Sequence, residues 1–229
     1  MATLSVIGTP IGNLEDITLR ALRVLRTADL ILCEDTRVTK KLLAKNDIHT
    51  PTKSYHAHST ISRVDDILAM LREGKHLALV SDAGTPGISD PGAELVSRVR
   101  AELADLIAAG SLTIESIPGP SALAAALSIA GVPCARFTFL GFLPHKKGRE
   151  TLFKEIASAE ETYVFYESPH RILKTLESLG QHAPQKKVTI CRELTKIFEQ
   201  VVAGSPQELL AHFVAHADTV RGEFVVIVR

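Results

Sequence analysis

Tryptophan is absent from the 229 residues, and aromatic side chains make up only 5% of them. Any core must therefore be aliphatic, filled by Leu, Ala, Val and Ile. Cysteine is scarce and odd in number: Cys33, Cys134 and Cys191 lie far apart, with no CxxC pair and no nearby histidine. That excludes a disulfide framework and a zinc site. Each thiol reads instead as a small apolar residue in or beside a strand, which fits a reducing, cytoplasmic compartment. Neither sign of charge is in excess, with 26 residues of each. Nucleic-acid-binding domains are usually basic, so contact with such a partner would have to come from local patches. Long apolar runs are also missing. The least charged stretch, residues 116–135, is broken by Pro118, Gly119, Pro120, Gly131 and Pro133, which no membrane span would be. The N-terminal Ala2-Thr3-Leu4-Ser5 reads as the start of a strand rather than of a signal peptide.

What is present is ordinary for a soluble globular α/β protein, with 45% hydrophobic and 23% charged residues. Residues 4–7, 30–33, 77–80 and 112–114 are short, mostly apolar runs without polar alternation, read as buried strands. Helical patterns separate them over residues 17–28, 36–45 and 61–73, the last closed by Gly74. A further helix starts at Asp90, with Pro91 in its first turn. This alternation predicts a mainly parallel sheet covered on both faces in an N-terminal domain, residues 1–117. Pro118-Gly119-Pro120 marks a junction to a second domain, residues 118–229, opening with a small-residue helix over 121–130. Residues 163–166, 188–191, 198–202 and 224–228 are β-branched and aromatic, and predict a mixed sheet. Ser168-Pro169 and Ser205-Pro206 each read as a helix start, and Glu208 completes a capping box with Ser205.

The chemistry is expected in loops at the carboxyl ends of the first-domain strands. Gly8-Thr9-Pro10-Ile11-Gly12-Asn13 invites a dinucleotide reading, with Glu34 and Asp35 closing the next strand. It departs in detail, because Pro10 has no amide hydrogen and the third glycine is absent. Residues 82–92 hold two prolines and three glycines, a longer and stiffer connection than strand and helix need. Pro118-Gly119-Pro120-Ser121-Ala122 places a helix N-terminus at the end of another strand. Asp35 reads as a helix cap or a functional carboxylate. Arg37, Lys41 and Lys45 share one helical face, suited to solvent or to a phosphate backbone. Glu167 and Glu193 close later strands and need partners or ligands if buried. Residues 144–149, Pro-His-Lys-Lys-Gly-Arg, read as an exposed basic loop. His56 and His58 lack ligand neighbours at metal spacing, so no metal is expected.

Eight blocks occur in order: Gly-Thr-Pro-Ile-Gly-Asn-Leu (8–14), Glu-Asp-Thr-Arg (34–37), Val-Ser-Asp-Ala-Gly-Thr-Pro (80–86), Pro-Gly-Pro-Ser-Ala (118–122), Gly-Phe-Leu-Pro (141–144), Phe-Tyr-Glu-Ser-Pro-His-Arg (165–171), Arg-Glu-Leu-Thr-Lys (192–196) and Gly-Glu-Phe-Val-Val-Ile-Val (222–228). Together they span essentially the whole chain, and it resembles the ribosomal RNA small subunit methyltransferase I family, a branch of the tetrapyrrole methylase fold group. The resemblance implies two α/β domains with S-adenosylmethionine in the cleft between them, and usually a homodimer. It implies methylation of the 2′-hydroxyl of a cytidine in small-subunit ribosomal RNA. Carried onto this sequence, the cofactor pocket includes Pro10, Ile11, Gly84, Thr85, Ile88, Ser121 and Ala122, with Tyr166, Leu194 and Phe224 from the second domain. Members of the family commonly continue past the closing strand into a small helical segment, whereas this sequence stops at Arg229.

Methyl transfer needs nucleophile, methyl carbon and sulfur in line, and a ribose hydroxyl must lose its proton to a base or be stabilised as an alkoxide. Asp35, Glu34, Asp82 and Glu167 are candidate bases, and Asp35 and Arg37 are expected nearest the transferred methyl. Lys41, Arg171 and Lys196 are expected to meet the substrate. Two other readings stay open. One is a same-fold methyltransferase acting on a tetrapyrrole precursor or a protein side chain. The other is a non-catalytic, cofactor-binding module on the ribosome.

Overall fold

Each of the short apolar runs of the first half becomes a parallel strand. The computed structural model describes residues 1–56, 61–90 and 92–229, without the side chains of 61 and 62. His58 and Pro91 thus lie outside the described residues. Contacts divide the chain into two compact units, Met1–Ser121 and Ala122–Arg229.

The first unit runs β1 (Ala2–Ile7), α1 (Leu19–Thr27), β2 (Leu30–Cys33), α2 (Thr36–Lys45), β3 (Thr52–Ser54), α3 (Ile61–Arg72), β4 (His76–Val80), α4 (Gly92–Glu102), α5 (Ala104–Ala108) and β5 (Leu112–Ile117). The strands lie in the order β3-β2-β4-β1-β5, all parallel. Alternate residues of each strand enter opposite cores. Leu4, Leu32, Leu77 and Leu79 pack with Ile67, Leu71, Leu95 and Val99 of α3 and α4. Ile7, Ile31, Cys33, Ala78 and Val80 pack with Ala21, Leu25 and Leu43 of α1 and α2. The neighbouring strands β1 and β4 therefore send their following helices to opposite faces. A crevice at their carboxyl ends is where such sheets take ligands. Thr18 caps α1 by accepting from the Ala21 amide at 3.1 Å. The end of α3 is a Schellman turn, with Gly74 at φ +86° and the Lys75 amide donating to Met70 O at 3.1 Å.

The second unit runs α6 (Ala122–Ile129), β6 (Phe137–Phe142), α7 (Arg149–Ser158), β7 (Thr162–Glu167), α8 (Ile172–His182), β8 (Val188–Arg192), β9 (Gln200–Gly204), α9 (Pro206–Ala215) and β10 (Phe224–Val228). Its sheet, β6-β7-β10-β8-β9, is mixed: β6 is parallel to β7 and the other pairs are antiparallel. Phe165, Phe213, Phe224, Val226 and the α8 leucines 176 and 179 fill its core. The capping box of Ser205 and Glu208 is present at α9.

Three expectations need correction. No helix starts at Ser168-Pro169. The Ser168 carbonyl accepts from the amides of both Arg171 and Ile172, making a turn that ends with Arg171 as N-cap. The strand expected over 198–202 is displaced to Gln200–Gly204, because residues 193–199 are occupied by a turn with left-handed Glu193 and Thr195. Arg149 does not belong to an exposed loop. It is the first residue of α7, and its side chain is only 15% exposed. Cys33 and Cys191 lie buried in strands, and Cys134 is exposed in the connection just before the edge strand β6. Among the described residues, no helix is long and apolar enough to cross a membrane, and no group of three His, Cys, Asp or Glu could hold a metal ion.

Candidate active site

Four loops at the carboxyl ends of the first sheet are fastened to one another by backbone and side-chain hydrogen bonds. Thr9 and Gly84 form an isolated antiparallel bridge, N to O at 2.9 Å and 3.1 Å, joining the loops after β1 and β4. The Thr9 hydroxyl also donates to Ser81 O at 3.1 Å. The loop after β5 is tied in twice: the Gly8 amide donates to Ile117 O at 3.1 Å, and the Thr85 hydroxyl donates to Pro120 O at 3.1 Å. A Cβ on Gly119 would sit 2.5 Å from Gly8 O, so both glycines are needed for the two chains to pass. The loop after β2 joins through the Asp35 amide, which donates to Asp82 Oδ1 at 2.9 Å.

This arrangement gathers Pro10, Ile11, Gly84, Thr85 and Ser121 around the carboxyl ends of β1, β4 and β5. Pro10 and Ile11 are buried, and Gly84 holds φ +86°. A side chain at position 84 would stand 3.5 Å from Ile11 and 3.7 Å from Pro120 O, filling the space between them. Ile88 stands farther out on the same loop and is 37% exposed. Asp90 turns the loop back by accepting from the Gly87 and Gly92 amides.

The carboxylates differ sharply. Asp35 caps α2 through the Arg37 amide at 2.8 Å and grips the Arg37 guanidinium, Nη2 to Oδ2 at 2.6 Å. The Arg37 hydrogen bonds hold its carboxyl down to about 2. Glu34, its neighbour, goes the other way. Burial, then the charges of Asp82 and Asp90, push its carboxyl above the usual range. With Tyr55, Ser81, Pro86 and Asp90 it borders a narrow gap that has no room for a water molecule. Lys41 is exposed on α2.

In the second unit, Tyr166 lies edge-on to Phe139 and Phe142, at 5.0 Å and 5.5 Å between ring centres. A register shift between Phe139 and Phe142, with Gly141 at φ +60°, puts both rings on Tyr166. The sequence signal for this cluster, Phe-Thr-Phe-Leu-Gly-Phe over 137–142, is an alternation broken by glycine. The Phe224 side chain packs on Phe213 in the core, so what it presents is its strand position. Leu194 is 7% exposed and sits between two residues forced to φ +52° and +67°. Strain of this kind persists only where the surroundings impose it. Here Glu193 accepts from the Glu223 amide at 3.0 Å and from Lys196 at 2.8 Å, and Lys196 also reaches Glu223 at 2.9 Å. Lys196 is thus an internal strut of this turn. Gly222, at φ +86°, leaves room for the Glu193 carboxyl, which a Cβ would overlap. Gly222→Ala is expected to cost about 1–3 kcal/mol, combining left-handed strain with a steric clash. A thermal melt of the variant checks it, and an unchanged midpoint would refute this account of the turn.

Glu167 and Arg171 are bonded to each other and to groups of their own unit. The Glu167 side chain is fully buried and receives the Thr175 hydroxyl at 2.6 Å, the Ser168 amide at 2.9 Å and Arg171 Nε at 3.2 Å. It has no access for base catalysis, because each oxygen is taken. Arg171 is 17% exposed and spans from this carboxylate to Leu143 O at 2.6 Å.

A parallel sheet with knitted carboxyl-end loops, followed by a mixed sheet with β10 at its centre, is the architecture of a two-unit α/β methyltransferase. The chain belongs to the Tetrapyrrole (Corrin/Porphyrin) Methylases, whose family model matches residues 3–210. That family consists of S-adenosylmethionine-dependent methyltransferases, and the chain is an enzyme of this class. It is 44% identical to the ribosomal RNA small subunit methyltransferase I of Thermotoga maritima, over 93% of this chain and 92% of that one. It is 46% identical to the Synechocystis protein of the same name, over 100% of this chain and 79% of that one. The Bacillus subtilis protein of that name is 40% identical over 100% of this chain and 75% of its own length. Among solved structures, the fold is similar to the methyltransferase CobJ (TM-score 0.69, 19% identity, covering 100% of this chain and 94% of that one). It is also similar to uroporphyrin-III-C-methyltransferase from Thermus thermophilus (TM-score 0.66, 19% identity, covering 99% and 93%).

Proposed function

We propose that this chain transfers a methyl group from S-adenosylmethionine to the 2′-hydroxyl of a cytidine ribose in small-subunit ribosomal RNA. The observation that carries the reading is the near-full-length identity of 40–46% to proteins named for small-subunit ribosomal RNA methylation. The same reading makes the ribosome in the cytoplasm its place of action and a homodimer its working form.

The residues around the first sheet suit the donor. Its nucleoside needs an apolar surface and approachable backbone, and Pro10, Ile11, Gly84 and Thr85 offer both, with Ile88 and the Ser121–Ala122 turn alongside. Its sulfonium is cationic, and Glu34, Asp35 and Asp82 supply negative charge nearby. When bound, the donor supplies an electrophilic methyl group. From the second unit the reading takes Tyr166, Leu194 and the Phe224 strand position.

The proton falls to Glu34 rather than Asp35. A base with a pKa near 2 holds a proton too weakly to accept one at neutral pH, whereas an elevated carboxylate is better matched. Asp35 and Arg37 remain in the catalytic set as a fixed ion pair: Asp35 orients the guanidinium, and Arg37, with 88% of its side chain exposed, meets the substrate oxygen or phosphate. Lys41, one turn along α2, extends that cationic face toward the RNA backbone.

The test is transfer of labelled methyl to small ribosomal subunits lacking their own methylation, beside naked ribosomal RNA and a tetrapyrrole precursor. Label in a cytidine ribose of the subunit RNA is the expected result. Label in the tetrapyrrole alone would refute the reading.

A further inference from the structure

The second unit contains an ion cluster with no place in the chemistry above. Glu167, fully buried at the end of β7, faces two arginines, Arg171 at 3.2 Å and Arg149 at 3.6 Å. Thr175 of α8 bridges them, donating to Glu167 at 2.6 Å and accepting from Arg149 at 2.6 Å. Burial lowers the pKa of Arg149, and the guanidinium is held over the Phe153 ring at 5.2 Å. Burying two guanidiniums against one carboxylate is a costly way to join two helices.

What the cluster holds is one short loop. Arg171 donates to Leu143 O at 2.6 Å and to Pro144 O at 3.4 Å, and Arg149 donates to Pro144 O at 3.3 Å from the other end. Leu143 is buried, whereas residues 144–148 are exposed, and left-handed Gly148 turns the chain into α7. Between these anchors stand His145, Lys146 and Lys147. A chain with no net charge has here three adjacent basic side chains on a loop whose two ends are fixed by charge-assisted hydrogen bonds. Flexible lysines need no such support to be solvated. Lysines on a backbone anchored in this way do suit a row of phosphates, because part of the entropy of ordering the loop has been met before binding.

We propose that residues 144–148 form an RNA-backbone contact, with Lys146 and Lys147 on phosphates and the Arg149–Glu167–Arg171 cluster positioning the loop. The inference rests on the RNA reading above. It moves Arg171 from substrate contact to positioning, acting through the Leu143 and Pro144 carbonyls.

The experiment measures binding of small-subunit ribosomal RNA across a salt series, with S-adenosylmethionine affinity as the check on folding. Lys146→Ala with Lys147→Ala is expected to raise the RNA Kd roughly tenfold near 0.15 M salt, and to flatten the slope of log Kd against log salt by roughly 1.5. Cofactor affinity should stay within about twofold of wild type. Glu167→Gln is expected to weaken RNA binding as well, but to add little in the Lys146→Ala/Lys147→Ala background, since both act on one contact. Additive losses would make Glu167 a merely structural residue. A lysine variant with the wild-type Kd and salt slope would overturn the surface, as would a wild-type protein that binds no such RNA. Wild-type binding without methyl transfer would leave the surface standing and sink the function reading instead.

Discussion

Glu34→Gln is expected to lower kcat by about 10²–10⁴-fold, the range for loss of a general base. The pH profile should separate the two neighbouring carboxylates. Burial, then Asp82 and Asp90, raise the Glu34 pKa. A base works in its deprotonated form, so activity should hold above that raised value and fall as pH drops through it. The wild-type acid limb should therefore lie above that of an unperturbed glutamate, and Glu34→Gln should abolish it. Asp35 stays ionised down to about pH 2. Asp35→Asn should consequently reduce kcat/KM through a misplaced Arg37 and leave the acid limb where it was. If the limb survives in Glu34→Gln, or vanishes in Asp35→Asn, the roles are reversed.

The second large effect is expected at Gly119. A methyl group there would lie 2.5 Å from Gly8 O and 2.8 Å from Gly8 C, all backbone atoms with no rotamer to yield. The β1 and β5 loops must then part, and with them the Thr9–Gly84 bridge and the Pro10–Ile11 turn. Overpacking of this kind costs about 1–3 kcal/mol. A displacement near 1 Å at a site built on positioning costs about 100-fold in turnover. Gly119→Ala should therefore lose about two orders of magnitude in kcat/KM while its melting point falls only modestly. Gly110→Ala is the control: it is left-handed at φ +69° with nothing within 4 Å of the added carbon, so strain alone should appear. Wild-type turnover in Gly119→Ala would mean that the knitted loops do not form the site.

The first sheet was legible because its buried parallel strands contain short, mostly aliphatic runs, as in Leu30–Cys33 and His76–Val80. What escaped lies at edges. β3 is Thr-Lys-Ser, half-buried and polar, and β6 borders the second sheet with a broken register. The turn over 193–199 displaced β9 because Ile197 and Phe198 look like strand residues, yet are 96% and 59% exposed. For the site, glycine-rich loops at strand ends were readable as such, but not that Gly8 must pass Gly119, 111 positions away in the chain. That Glu167 needs a partner followed from the cost of burying charge. That the partner includes Arg149, on another element, did not.

The place of β10 has a consequence for synthesis. Phe224–Val228 pairs with β7 on one side and β8 on the other, at the middle of the second sheet. While a nascent chain is growing, β7 and β8 have emerged long before the strand that must lie between them. The first unit holds all five of its strands by Ile117 and is free to fold early, whereas the second must wait, with two unsatisfied strand edges, until residue 228 clears the exit tunnel. That interval is when the chain is most exposed to mispairing and to chaperones.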